Sequence, residues 1–279
     1  MSLTLGSSSN YRSLSHMSSI KAKMDKSLER ISSGQRLLSA ADDPGGLAVA
    51  MKLKSQISSY DAQKDSVENA KSYVEAQSTA LQTASEIVTK MQDLKSDYDD
   101  PTATVADKAA YESEFQDLRK QLDSLKGETL NGTKLFNRTD GDMTVSSVTL
   151  TNLDLNAKLQ NDDSSGNGNK NIGDSSDTSV TLNTVTVTNL SNISDNVSGL
   201  VAEAAGDEST LGFTSEYLSN MSINLETARG RIMDVDLAEE SANYASLSMQ
   251  YEAAAAAVAQ ANVAMGAVLD LLLSSVNRD

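Results

Sequence analysis

Three features of the sequence predict a mainly α-helical chain, with long rods near both ends and a small β-containing insertion between them. Apolar residues recur every seven positions over long stretches, which is the seam of a helix packed lengthwise on other helices. With no Trp, three Phe and two Pro in 279 residues, the chain suits Ala- and Leu-rich helices better than an aromatic-rich globule. Between the seams, residues 137–207 change to Ser, Thr, Asn, Asp and Gly.

The first element is a short helix whose apolar stripe is Leu14, Met17, Ile20, Met24, Leu28 and Ile31, ending near Gly34. A very long helix follows, with Leu53, Tyr60, Val67, Val74, Leu81 and Val88 on its seam and Val49, Ala70, Ala84 and Met91 beside it. Asp43 can cap its free amides and Pro44 fits its first turn, where the missing N–H costs nothing. Running to about Tyr98, it would span about 80 Å at 1.5 Å per residue. The loop Asp97 to Ala103, with Pro101, is short enough to fold a second helix back on the first. That helix covers Val105 to Lys126, with Tyr111, Phe115, Leu118, Leu122 and Leu125 on one face, a Thr104/Asp107 capping box and Gly127 at its end.

A third rod carries Leu211, Leu218, Leu225 and Ile232 in one row and Met221, Ala228, Val235, Ala242 and Met249 in a parallel one. Its economical partner is the helix pair of residues 44–126. The tail adds a last stripe, Val258, Ala261, Met265, Val268, Leu269 and Leu272. In the insertion, Val145/Val148/Leu150 and Val180/Leu182/Val185/Val187 read as strands, and Asp162 to Ser176 as an exposed loop. Because the seams lie outside residues 137–207, that segment is expected to be a surface feature dispensable for assembly.

Chemistry is scarce. There is no Cys and one His, His16, which removes thiol nucleophiles, thiolate metal sites, disulfides and His-based acid–base machinery together. His16 reads as a helix-surface or interface residue, and Met17, Met24, Met91, Met221 and Met249 as core. The acid pairs Asp42/Asp43, Asp99/Asp100 and Asp162/Asp163 read as caps and solvated turns, since neighbouring side chains point apart. No catalytic residue, cofactor or metal is expected.

A net charge of −16 disfavours nucleic acid. Residues 1–57 hold eight Lys/Arg against four Asp/Glu, net +4, and residues 234–279 one Arg against seven acids, net −6, so the two arms should attract. The apolar run Ala253 to Leu273 is interrupted by Gln260, Asn262 and Asp270, so no membrane span is expected. The start, Met-Ser-Leu-Thr-Leu-Gly, lacks the pattern of a cleaved secretory signal. The two terminal stripes have no third element to cover them, which favours burial between subunits.

Glu29 to Ala50, ERISSGQRLLSAADDPGGLAVA, resembles the signature of bacterial flagellins at the junction of the outermost terminal helix and the long helix. Ala228 to Glu240, ARGRIMDVDLAEE, resembles its C-terminal counterpart, and Val258 to Leu273 is similar to the family's final helix. Together the likeness covers residues 1–136 and 209–279. It implies an antiparallel helical hairpin whose two ends form a coiled coil lining a filament, divided into residues 1–43 and 235–279 at the filament core, 44–136 and 208–234 as rod, and 137–207 facing solvent.

It further implies an extracellular filament used for swimming, type III export without a cleaved signal, a dedicated export chaperone, a filament cap and hook-associated proteins as partners. The polymerisation residues implied are the two terminal stripes. A hook–filament junction protein of the same axial family is the alternative, with the 228–240 motif favouring the filament subunit. In family members recognised by an animal Toll-like receptor, the contact positions match Lys90, Leu94 and Glu114. Lys90 stands where the recognised pattern has arginine and Gln92 replaces a basic residue, which weakens that contact.

Overall fold

A computed structural model describes residues 3–161 and 170–276, with side chains described for residues 11–160 and 171–267. Its helices are α1 Leu3–Ser33, α2 Pro44–Asp99, α3 Val105–Lys126, α4 Leu155–Lys158, α5 Val187–Met233 and α6 Leu237–Val276. Three antiparallel hairpins lie between α3 and α5: β1 Thr129–Leu130 with β2 Thr133–Lys134, β3 Met143–Val145 with β4 Val148–Leu150, and β5 Gln160–Asn161 with β6 Lys170–Asn171. The expected mainly α fold with short strands in the middle is the one observed.

Local chemistry explains the helix ends. The chain's two prolines bracket α2, Pro44 as its first residue and Pro101 just past its last, so the 56-residue helix contains no interior breaker. Asp43 caps it by accepting the Gly46 N–H at 2.9 Å. A Cβ at Gly46 would lie 2.4 Å from an Asp43 carboxylate oxygen, so a larger residue there would displace the capping carboxylate. The Thr104/Asp107 capping box forms at the start of α3, and Gly127 ends it in a right-handed turn rather than the left-handed one glycine usually supplies. The β1–β2 turn uses Asn131 and Gly132 at φ 51° and 81°, the pairing that a tight two-residue hairpin demands.

The chain divides into two compact units, residues 1–56 with 224–279 and residues 57–223. In the second, the α2 seam Val67, Val74, Leu81 and Val88 is wholly buried with Phe115 and Leu122 of α3. The α5 side of this core corrects the strand reading of Val180 to Val187. Val180, Leu182 and Val185 are buried in turns, and α5 begins at Val187. From there Leu190, Val197, Ala204, Leu211 and Leu218 form one buried row spaced seven apart, so the third rod starts well before Leu211. The Ser- and Asn-rich surface of that first stretch masked its helical period.

Residues 137–207 are likewise no surface appendage. Leu150, Leu153, Leu155, Leu159, Ile172, Val180 and Leu182 complete the same core, and their removal would open it. Of the expected exposed loop, residues 162–169 lie outside the described residues, whereas Ile172 is buried. Arg119 joins this segment to α3. It is completely buried, and its guanidinium donates to the carbonyls of Ile172 at 3.1 Å and Val180 at 3.1 Å, and to that of Asp174.

The seam read through Val235 to Met249 is also interrupted. The helix ends at Met233, and Asp236 starts a new one by accepting the Ala238 and Glu239 N–H groups at 2.9 and 3.2 Å. Met249, read as core, is 65% exposed.

Candidate assembly surface

In the first unit the two flagellin-like motifs meet. Gly34 leaves α1 at φ +70°, a conformation other residues adopt only with strain, and its carbonyl accepts the Val235 N–H at 3.0 Å. Gln35 and Asp234 form an antiparallel bridge. The Arg36 N–H donates to the Met233 carbonyl at 2.6 Å, and its guanidinium to Ile232 O at 2.8 Å, so one residue satisfies two carbonyls at the end of α5. Leu37, Ala50 and Met233 close a small apolar cluster beneath this junction.

Beyond the junction α1 runs antiparallel along α6, the end of one against the start of the other. Where they meet, Ser27 and Glu240 are buried polar residues on an otherwise apolar seam. The Ser27 hydroxyl donates to the Glu240 carboxylate, Asn243 donates to the same carboxylate at 3.2 Å, and the Arg30 guanidinium lies 3.7 Å away. A buried carboxylate met by these donors fixes the register of α1 on α6. The Arg30–Glu240 contact is also one realised link between the basic and acidic arms. These partners lie more than two hundred positions apart, so only the fold brings them together.

Lys26 donates to the Asp42 carboxylate, which also accepts the Leu38 N–H at 3.1 Å. These bonds, Lys26 first, hold the Asp42 carboxyl below its usual range. A depressed carboxylate contributes stability that is present above the unfolded value and lost as pH falls through the folded one. Asp42→Asn should therefore weaken the protection of the Leu38 amide against hydrogen exchange near neutral pH. The difference from wild type should vanish in acid below the carboxyl's own pKa; a difference that does not change with pH would contradict the assignment.

The predicted polymerisation residues divide unevenly. Ile20 is buried, and Met17, Met24, Ile31 and Val258 are half-buried. Leu14 and Leu28 are each 51% exposed, and Met265 is 42% exposed. The side chains of Val268, Leu269 and Leu272 lie outside the described residues. Thus one face of α1 is spent on α6 while another, with Tyr11, stays open, as do Leu237, Met249 and Val263 on α6. His16 is exposed on α1, as its surface reading requires. Of the receptor-patch positions, Lys90 and Glu114 are exposed, but Leu94 is 3% exposed within the core of the second unit, so the three do not form one accessible patch. No helix among the described residues is long and apolar enough to cross a membrane.

Paired terminal helices that satisfy each other on one face and leave large apolar residues bare on others define a self-assembling structural subunit. The family model of the bacterial flagellin N-terminal helical region matches residues 4–140, and that of the C-terminal helical region matches residues 207–272. The chain belongs to the bacterial flagellin family and is a structural subunit that polymerises into the extracellular flagellar filament.

It is 29% identical to a flagellin of Halalkalibacterium halodurans over 88% of this chain and 91% of the relative. It is 25% identical to a flagellar filament 33 kDa core protein of Treponema phagedenis, over 89% and 92%, and 25% identical to a flagellin of Bacillus subtilis, over 93% and 96%. A solved structure described as a flagellar hook-associated protein of Vibrio parahaemolyticus shares the fold at a TM-score of 0.56 and 18% identity, covering 69% of this chain and all of that one.

Proposed function

We propose that the apolar side chains left open on α1 and α6 are the contact through which the chain polymerises, each becoming buried by a neighbouring copy. The observation that carries this is the exposure of Tyr11, Leu14 and Leu28 on α1 and of Val263 and Met265 on α6, two helices already paired along their other faces. Burying side chains of this size contributes about 1.5–3 kcal/mol each when complete. In this reading residues 1–43 and 235–279 are the filament-core segments, and the remaining residues surround them.

Family membership supports further partners. An export chaperone would cover the open face of α6 before assembly, and a filament cap and hook-associated proteins would bound the filament. A charge placed in the contact is the direct test. Leu14→Asp and Val263→Asp should each leave the helix content of the monomer unchanged and slow seeded elongation by at least tenfold, because a desolvated carboxylate has no partner there. Wild-type elongation by both variants would overturn the assignment.

A further inference from the structure

The chain holds ten methionines and no cysteine, so thioethers are its oxidisable sulfur. Most are covered: Met91 is completely buried, Met233 is 9% exposed, and Met17, Met24, Met143 and Met221 are half-buried. Among the described residues, Met51 and Met249 are each 65% exposed and Met265 is 42% exposed. Susceptibility to oxidation follows exposure, but only a sulfur on a surface the molecule uses changes what the molecule does.

Met249 lies on such a surface. Along α6 the face packed on α1 runs through Tyr244, Leu247, Tyr251, Ala254 and Val258, which are buried or half-buried. Met249 stands two residues from Leu247, about 200° round the helix, and so points away from α1. It belongs to a second row, Ala242, Met249, Ala256 and Val263, spaced seven apart and exposed throughout, with Val263 at 67%. Such a row drifts only about 20° per heptad, so it stays on one side of the helix. Its spacing is that of a packed seam, yet no element among the described residues covers it. A thioether is the soft, adaptable filler that a seam between helices uses well, as long as it stays apolar.

We infer that Met249 is an oxidation site whose state decides whether a free subunit can join the filament; this rests on the reading that the open faces of α1 and α6 are the polymer contact. In the step itself the thioether sulfur attacks one oxygen of hydrogen peroxide. The O–O bond breaks, an S–O bond forms, and the second oxygen leaves as water with both protons. The sulfur is oxidised by two electrons and the peroxide reduced by two. A sulfoxide puts a strong hydrogen-bond acceptor where an apolar atom stood, and the row around it, Ala242, Ala256 and Val263, has no side-chain donor to meet it once water is expelled. The same burial shields Met249 in a formed filament, so oxidation acts on the addition of subunits and spares those already assembled.

Free subunits are treated with dilute hydrogen peroxide, the sulfoxides are located by peptide mass spectrometry, and seeded elongation is followed by light scattering. Conversion of Met249 should slow elongation about tenfold with unchanged monomer helix content. Methionine sulfoxide reductases acting on both sulfoxide epimers should restore the rate. Met249→Leu, which keeps the apolar volume, should elongate like wild type and keep that rate after peroxide. Met51→Leu and Met265→Leu should stay as sensitive as wild type, and Met249→Gln should be slow without any oxidant. In formed filaments Met249 should convert severalfold more slowly than in free subunits. Full elongation by subunits carrying the Met249 sulfoxide, or undiminished sensitivity of Met249→Leu, overturns the inference. Val263→Asp tests the underlying contact separately: a slow Val263→Asp beside a peroxide-insensitive wild type would keep the α6 contact and remove only the oxidation site.

Discussion

A chain lacking Val258 to Asp279 is expected to keep its second unit folded and to lose filament elongation altogether. The core of that unit is drawn from residues 67–218, so none of its buried side chains is removed. What the truncation removes is the last part of α6, including the exposed Val263 and Met265, together with the partner of the matching part of α1. A helix without a packing partner is marginal in water, so assembly must supply burial that the free subunit lacks. Hydrogen exchange on the truncated monomer should still protect residues 67–91 and 211–218, and seeded light scattering should show no growth. Normal growth would remove the tail from the polymer contact, and loss of protection in those segments would make it part of the monomer's own core.

The second large effect is expected at Arg119. Its guanidinium meets the carbonyls of Ile172, Asp174 and Val180 and the Gln116 side chain, in a site that excludes solvent. Desolvation lowers its pKa, while Asp177, Asp174, Glu112 and Asp123 oppose that shift and keep the charge in place. Arg119→Ala deletes the donors, strands the carbonyls and leaves a cavity, which together should cost about 3–5 kcal/mol. Arg119→Lys keeps the charge but not the planar fork, so it should fall between the two. Urea unfolding of the second unit reads this out, with the Ile172 amide losing exchange protection first. An unchanged midpoint for the alanine variant would show that the segment is held by its leucines and valines alone.

The helix map was legible because helix ends are local chemistry. Asp43, Pro44, the Thr104/Asp107 box and Gly34 each act on residues within one turn, and the structure places each where a cap, a first turn or a stop is needed. The start of α5 was hidden for a related reason. Its buried row Leu190, Val197 and Ala204 has the same seven-residue spacing as Leu211 and Leu218, but Ser, Thr and Asn fill its exposed positions and mimic loop composition. Composition reports the wet face of a helix as much as its buried one.

The sequence by itself determined the helices, the scarcity of catalytic groups, the apolar stripes at the two ends and the family, since periodicity, capping and motif order are all properties of neighbours along the chain. Only the tertiary structure decided that Leu150 to Leu159 and Ile172 to Leu182 complete the core, that Arg119 clasps the second of these stretches, that Glu240 is buried beside Ser27, and which stripe residues remain open. Those outcomes depend on groups separated by tens to hundreds of positions. A heptad row says that a face must be covered; whether α6, the second unit's core or another copy covers it is set by where the folded chain runs out of surface.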